Sequence, residues 1–217
     1  MNFKYAIFDL DGTLLDTQKF WDYHERKTLE KYFGIDMFND EDGVYIPFTG
    51  LKDMYAKAIS RSGKDTAPDI RQLYKEIYEI MTDVYRHGKI EAMPKAAEFL
   101  MELKNQGVAT ALATATPIYM CKPALDRLSL TGYLDVLVCV DDVGKNKYHP
   151  DVFDKALERI CGNKEDCMVF EDSLYAAGTL KANGYRYTII EHEGNIPTRE
   201  ELRDGCENYI TSYKELL

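Results

Sequence analysis

The stretch Phe8-Asp9-Leu10-Asp11-Gly12-Thr13 follows the apolar run Tyr5-Ala6-Ile7 near the start of the chain. The apolar run predicts a buried strand, and residues two apart on a strand share a face. Gly12 permits a turn directly after the strand, so the two carboxylates can surround one reacting centre. One acid can then attack while the other moves a proton. The stretch therefore predicts a phosphoryl-transfer site at the end of the first strand.

Four more short apolar runs follow this strand, each roughly one helix apart. They cover residues 109–113, 136–140, 168–170 and 187–190. Continuous rather than alternating hydrophobicity indicates strands that are covered on both faces, which is typical of parallel sheets. We therefore predict an α/β fold with a doubly wound, Rossmann-like parallel sheet. Ligands of such sheets bind at the carboxyl ends of the strands, where the candidate residues lie.

Residues 17–87 interrupt this alternation with helical periodicity and little strand signal. The last part of the segment carries an apolar stripe at steps of three and four residues, which predicts a packed helix face. Its members are Ile70, Leu73, Tyr74, Ile77, Tyr78, Met81, Val84 and Tyr85. We predict two domains, an α/β core of residues 1–16 plus 88–217 and an inserted helical domain of residues 17–87. A further helix is predicted from Pro94 to Gln106.

Composition narrows the class of protein. The 217 residues are 45% hydrophobic and 29% charged, as in globular proteins, and carry a formal net charge of −10. This charge disfavours a nucleic-acid partner, because such surfaces need clustered Lys and Arg. No stretch approaches the roughly 20 apolar residues of a membrane span, and Asp9 interrupts the only apolar run that could begin a signal peptide. We expect a cytoplasmic enzyme without a membrane partner.

Four segments, in order along the chain, resemble the motifs of the haloacid dehalogenase (HAD) superfamily. Residues 9–14 (DLDGTL) resemble the first motif, and residues 108–114 (VATALAT) resemble the second, a strand ending in Ser or Thr. Residues 147–153 (KYHPDVF) resemble the third, and residues 169–173 (VFEDS) the fourth. The resemblance implies a phosphohydrolase with an aspartate nucleophile, similar to β-phosphoglucomutase and phosphoglycolate phosphatase. It also implies that the inserted helices form a mobile cap.

The resemblance assigns four catalytic residues. Asp9 is the nucleophile, since a carboxylate is ionised at neutral pH and can take up a phosphoryl group covalently. Asp11 protonates the leaving oxygen and later deprotonates the attacking water. Thr114 and Lys147 contact the transferring phosphoryl oxygens. Lys145 competes for the lysine role, but the spacing to the Pro-Asp-x-Phe segment favours Lys147.

The chemistry also requires a metal ion, because an aspartate and a phosphate repel each other. Oxygen ligands and phosphate indicate Mg²⁺. By resemblance the ligands are Asp9, the backbone carbonyl of Asp11, and Asp172, with Glu171 binding directly or through another ligand. The Glu171-Asp172 pair could also cap a helix that Ser173 opens.

The inserted domain is expected to select the substrate, a small phosphorylated metabolite. Thr49-Gly50-Leu51-Lys52 resembles the cap loop with which related sugar-phosphate mutases present a cation to a second phosphate, so Lys52 is either a substrate-binding residue or a surface lysine. Thr114, Ala115 and Lys147 complete the predicted substrate-binding set. Those mutases carry a histidine where this chain has Trp21. This difference and Thr13 favour hydrolysis.

Other functions remain open at this stage. A β-phosphoglucomutase-like mutase is supported by Glu171, Asp172 and Lys52 and opposed by Trp21. A dehalogenase needs neither Asp11 nor a metal, and phosphonate cleavage through a lysine Schiff base has no role for Asp11. A non-catalytic binding protein would not need the complete set of acids. We expect a monomer or a weak dimer.

Overall fold

The computed structural model describes residues 2–46, 50–64 and 67–217, which form two units. Met1–Thr17 and Lys89–Leu217 make up the unit that we call the core unit, and Gln18–Gly88 make up the helical unit. The strands are β1 (Tyr5–Phe8), β2 (Ala109–Thr114), β3 (Val136–Cys139), β4 (Cys167–Glu171), β5 (Arg186–Ile190) and β6 (Asn208–Ile210). All strand pairs are parallel, in the order β3-β2-β1-β4-β5-β6. The predicted α/β fold class is confirmed.

Among the described residues, four helices lie between β1 and β2, and the others lie between the later strands. The helices are α1 (Gln18–Phe33), α2 (Leu51–Ser62), α3 (Ile70–His87), α4 (Ala96–Asn105), α5 (Ile118–Arg127), α6 (Asp151–Arg159), α7 (Leu174–Ala182) and α8 (Arg199–Arg203). Across the described ranges, none of them combines the length and the apolar composition that a membrane crossing requires.

All five predicted strands are present, whereas two details of the prediction were wrong. The sheet has a sixth strand, β6, that the sequence analysis did not identify. Helix α4 begins at Ala96 rather than at Pro94, because Lys95 adopts a left-handed backbone conformation with φ of 68°. The carbonyl of Pro94 instead accepts a hydrogen bond from the backbone N–H of Tyr213.

The two faces of the sheet bury different side chains. On one face Ile7 of β1 packs in a large aliphatic cluster that includes Val169 of β4. On the other face the ring of Phe8 stacks on Phe170, with ring centroids 4.5 Å apart. Phe99 and Tyr213 complete this aromatic group. Because β1 is covered on both faces and lies between β2 and β4, its carboxyl end is held rigidly.

A tight turn follows β1. The carbonyl of Leu10 accepts hydrogen bonds from the backbone N–H groups of Leu14 and Leu15, and Gly12 has φ of 82°, which glycine adopts without strain. Tyr213 donates its hydroxyl to the carbonyl of Thr13 at 3.2 Å. The aromatic face of the sheet therefore supports the turn that carries Asp11.

Helix α3 of the helical unit buries one side of the predicted stripe. Asp69 caps its first turn by accepting from the N–H of Arg71. Leu73, Ile77, Met81 and Tyr85 are buried at regular steps of four residues. Tyr74 is 39% exposed, so the stripe is wider than the surface that α3 buries. The buried positions confirm the predicted packing role.

Arg26 of α1 is a fully buried charge in the helical unit. Its guanidinium pairs with Asp22 and donates to the carbonyl of Met37 at 2.6 Å. It also lies 5.2 Å from the ring centroids of both Phe38 and Tyr45. A buried guanidinium needs such partners, so Arg26 anchors the segment that follows α1.

Glu25 gives a pH-dependent test of the helical unit. Burial, with a smaller contribution from Asp22, raises the pKa of Glu25 to about 8. Folded Glu25 therefore keeps its proton up to about pH 8, whereas the unfolded chain releases it near the ordinary value of 4.5. The protein consequently loses stability as the pH rises between these values. We expect Glu25→Gln to stabilise the protein at pH 8 by at least about 1 kcal/mol and by much less at pH 5.

Urea unfolding followed by the fluorescence of Trp21, the only tryptophan of the chain, measures this difference. The exposed Glu79 of the same unit provides the control Glu79→Gln. An equal gain for Glu25→Gln at both pH values would contradict the assignment.

Candidate active site

Lys147 is the central cation of the site. Its side chain is 1% exposed, and its ammonium group contacts Asp9 and lies 2.7 Å from Oε1 of Glu171. Asp9 follows β1 and Glu171 ends β4, two neighbouring strands, so the sheet brings the two acids together. Burial alone would lower the pKa of Lys147, but the two carboxylates outweigh it and raise that pKa above its ordinary value. Lys147 is therefore a permanent positive charge within this site.

Lys145, the competing candidate, lies elsewhere. Its ammonium group pairs with Asp151 at 2.7 Å, and its side chain is 52% exposed. Tyr148, which follows Lys147, is exposed and packs on the ring of Tyr175 at a centroid distance of 4.9 Å. The structure thus separates the two lysines by burial.

Asp9, Glu171 and Asp172 form a buried acidic cluster. Each offers a carboxylate oxygen, and these oxygens lie within 4.8 Å of one another. With Lys147 as counter-charge, the ionised cluster keeps an excess of two negative charges. Burial, against the opposing charge of Lys147 and with a further contribution from the neighbouring acids, raises the pKa of Asp9 well above its usual range. Burial likewise raises the pKa of Asp172 to about 6, against the opposing effect of His192. Because these are hard oxygen donors with surplus negative charge, the cluster fits a divalent cation such as Mg²⁺.

Glu171 also accepts hydrogen bonds from the residues just before α7. Its Oε2 accepts hydrogen bonds at 2.9 Å from the backbone N–H groups of Asp172 and Ser173 and from the Ser173 hydroxyl. Oε1 contacts Lys147. Both oxygens are therefore engaged by protein donors, but the two N–H groups belong to residues that precede α7, so Glu171 does not cap the helix itself.

Asp11 lies in a different environment from the cluster. Thr17 donates its hydroxyl to Oδ1, and Thr116 donates its hydroxyl to Oδ2 at 2.6 Å. Thr116 also donates its N–H to the hydroxyl of Thr114 at 3.0 Å. Thr114 is buried at the end of β2, and the neighbouring Ala115 is exposed. The structure thus links the predicted residues Asp11 and Thr114 through Thr116.

Sequence reasoning missed Thr17, Thr116 and His192 as members of this site. Thr116 follows Thr114 by two residues, a spacing that could have suggested it. The ring of His192 contacts Asp172 from the loop after β5, and no motif marks it. Its position depends on the pairing of β4 with β5, which a single sequence does not reveal.

The predicted substrate-selecting residues belong to the helical unit. Lys52 is exposed in the first turn of α2, and Thr49 of the same predicted loop lies outside the described residues. Trp21 donates its indole N–H to the hydroxyl of Tyr85 at 3.1 Å.

A comparison with known protein families agrees with this α/β core and its acidic site. The model of the haloacid dehalogenase-like hydrolases matches residues 6–190, and the chain belongs to this family. PpaX of Caldanaerobacter subterraneus subsp. tengcongensis, which is named as a pyrophosphatase, is 30% identical over 191 residues. The match covers 88% of this chain and 83% of PpaX. A phosphorylated carbohydrates phosphatase of Thermotoga maritima is 29% identical, with coverages of 82% and 81%.

A solved structure shows the same architecture. CbbY from Rhodobacter sphaeroides, crystallised in complex with phosphate, superposes with a TM-score of 0.74 at 26% identity, covering 99% of this chain and 96% of CbbY. The family match and the phosphatases among these relatives support a phosphoric monoester hydrolase.

The surplus charge of the cluster predicts the effect of Asp172→Asn. Since folding raises the pKa of Asp172 to about 6, its ionised form opposes folding above that pH. In EDTA at pH 7.5 we expect Asp172→Asn to raise the free energy of unfolding by about 1–3 kcal/mol. Excess Mg²⁺ should stabilise the wild type and not the variant.

Chemical denaturation with EDTA and with Mg²⁺ measures both effects. Asp83→Asn, at a side chain that is 79% exposed, is the control. A variant less stable than the wild type in EDTA would argue against an electrostatically strained cluster.

Proposed function

We propose that this chain is a Mg²⁺-dependent phosphatase that hydrolyses a small phosphorylated metabolite through a phosphorylated Asp9. The observation that carries the proposal is the difference in surroundings between two carboxylates. Asp9 lies against the ammonium group of Lys147 within the acidic cluster, and Asp11 lies between two threonine hydroxyls. Nucleophile and proton carrier need such different environments.

Asp9 performs the first step. Its carboxylate oxygen bonds to phosphorus while the bond from phosphorus to the leaving oxygen breaks, and Asp11 gives its proton to that oxygen. In the second step Asp11 takes a proton from water, whose oxygen bonds to phosphorus as the bond to Asp9 breaks. The products are the dephosphorylated metabolite and phosphate, with Asp9 and Asp11 restored.

Thr17 and Thr116 suit Asp11 to both steps. A hydroxyl can donate to a carboxylate and can accept from a carboxylic acid. The same two threonines can therefore hold Asp11 at the same position in either protonation state. Thr114 and Lys147 would bind the phosphoryl oxygens, with the exposed Ala115 beside them.

Mg²⁺, held by Asp9, Asp172 and the carbonyl of Asp11, would neutralise charge between the nucleophile and the phosphoryl group. Glu171 itself is not one of the proposed metal ligands, because its oxygens already accept hydrogen bonds from Lys147 and from the residues just before α7. The core unit would then be the catalytic domain and the helical unit the cap, with Lys52 as its substrate-binding cation. The cytoplasmic location and the monomeric or weakly dimeric state also stay predictions.

Two observations support hydrolysis over mutation. Trp21 takes the place of the mutase histidine, and its N–H is directed to Tyr85. An indole ring has no basic nitrogen and cannot exchange a proton with a sugar hydroxyl. The relative from T. maritima is a phosphatase of phosphorylated carbohydrates, which supports sugar phosphates as the first substrates to test.

Asp9→Asn tests the nucleophile. An amide is a poor nucleophile and carries no charge, so we expect phosphate release with Mg²⁺ to fall by at least about 1,000-fold. Phosphate should be measured over a panel of sugar, nucleotide and short-chain phosphates, with EDTA as the metal-free arm. Asp166→Asn, at a surface ion pair with Lys4, is the control. Retained activity in Asp9→Asn would refute the assigned mechanism.

The same panel separates phosphatase from mutase. β-Glucose 1-phosphate should either release phosphate or remain unchanged. Its conversion to glucose 6-phosphate without phosphate release would establish the mutase instead.

Thr116→Val tests how Asp11 is held. Loss of one hydroxyl removes its hydrogen bond to Oδ2, and we expect kcat to fall about 10- to 100-fold with a smaller change in KM. Thr116→Ser keeps the hydroxyl and should stay within about threefold of the wild type. Wild-type activity in Thr116→Val, or an equal loss in both variants, would argue against the hydrogen bond to Asp11 as the cause.

A further inference from the structure

The turn after β5 forms two hydrogen bonds with Asp172. Nε2 of His192 lies 2.9 Å from Oδ2 of the Asp172 carboxylate. Nδ2 of Asn195 donates to the backbone carbonyl of Asp172 at 3.0 Å. All three residues are nearly enclosed: the side chains of His192 and Asp172 are 11% and 5% exposed, and Asn195 is 8% exposed. The turn thus contacts both the side chain and the main chain of one member of the acidic cluster.

The turn itself determines the tautomer of His192. The backbone N–H of Gly194 donates to Nδ1 at 3.1 Å, so Nδ1 is an acceptor and carries no hydrogen. The ring hydrogen therefore lies on Nε2, which donates to Asp172. With its Nδ1 lone pair and its Nε2 hydrogen both engaged, the neutral ring is a hydrogen-bond donor to Asp172 and not a base.

Asn195 ties the turn to the sheet. Its Nδ2 also donates to the carbonyl of Ile190, the last residue of β5, at 2.9 Å. Its Oδ1 accepts from the N–H of His192 at 3.0 Å. One amide group thus joins the ends of β4 and β5 and positions the backbone of His192. The turn therefore fixes the position of the imidazole independently of its contact with Asp172.

We propose that His192, held by Asn195, is a positioning residue that orients the Asp172 carboxylate for the divalent cation. This inference rests on the metal site of the proposed function. A carboxylate on a single methylene group can rotate, and a ligand held in one orientation loses less freedom when the ion binds. The hydrogen-bond partners of metal ligands commonly contribute 10- to 100-fold to metal affinity.

Two variants of His192 separate this role from simple support of the turn. In His192→Asn, Oδ1 can replace Nδ1 as the acceptor for Gly194, but the side chain is too short to reach Asp172. In His192→Gln, the amide nitrogen extends about as far as Nε2 and can donate to Asp172, but no acceptor remains at the δ position. Orientation of Asp172 and support of the turn therefore predict opposite rankings.

Metal affinity is the decisive measurement. We expect the full-length His192→Asn variant to bind Mn²⁺ about 10- to 100-fold more weakly than the wild type, by electron paramagnetic resonance of free Mn²⁺. His192→Gln should stay within about threefold. Mg²⁺ titrations by calorimetry should give the same ranking. His87→Asn, at a side chain that is 73% exposed, is the matched control. Melting temperatures in EDTA establish that each variant is folded.

The outcomes are distinct. Wild-type affinity in His192→Asn, or equal weakening in both variants, would overturn the positioning role and leave the proposed function intact. Failure of the wild type to bind either ion would overturn the metal site itself. Nitrogen NMR of the wild-type histidines requires no variant: a His192 ring with its hydrogen on Nδ1 would also overturn the inference.

Discussion

The contact of Lys147 with Asp9 and Glu171 is the interaction on which the rest of the site depends. It lies almost wholly out of water, where three carboxylates would otherwise face one another. A buried ammonium group and its partners pay a large desolvation cost, and removal of one partner from such a set is strongly destabilising. Lys147 also lies 5.3 Å from the ring centroid of Phe153 in α6, which fixes its approach. One cation thereby joins β1, β4 and the loop before α6.

The sheet makes this contact possible. β1 is paired in parallel with β2 and β4, so the chain leaves all three strands at the same edge. The stacked rings of Phe8 and Phe170 lie directly before Asp9 and Glu171 in their strands, and rigid aromatic packing there limits movement of both acids. Tyr213, close to the end of the chain, extends the support to the turn of Asp11. The contacts that pack this face of the core therefore also position the acids of the site.

The local sequence pattern predicted elements that are long or apolar. It failed where contacts with distant residues determine the local structure. The first five strands contain short runs of mostly buried apolar residues, whereas β6 has three residues beginning with Asn208 and gave no comparable signal. Pro94 suggested a helix start, but the carbonyl of Pro94 is used by Tyr213, and Lys95 turns out of the helical region. Spacing favoured Lys147 over Lys145 in the sequence, and burial separates the two lysines in the structure.

By itself, the sequence determined the α/β class and the family resemblance, and it predicted the candidate acids, threonine and lysine, because hydrophobic runs and short motifs are local properties. Only the tertiary structure decided which groups surround each acid. Thr116 contacts Asp11 across 105 residues, and His192 contacts Asp172 across 20, through strand pairings that no local pattern encodes. Burial decided the charge balance as well. An acid is ionised in water at neutral pH, whereas Asp9 and Asp172, enclosed together, have raised pKa values because few water molecules remain to stabilise their charges.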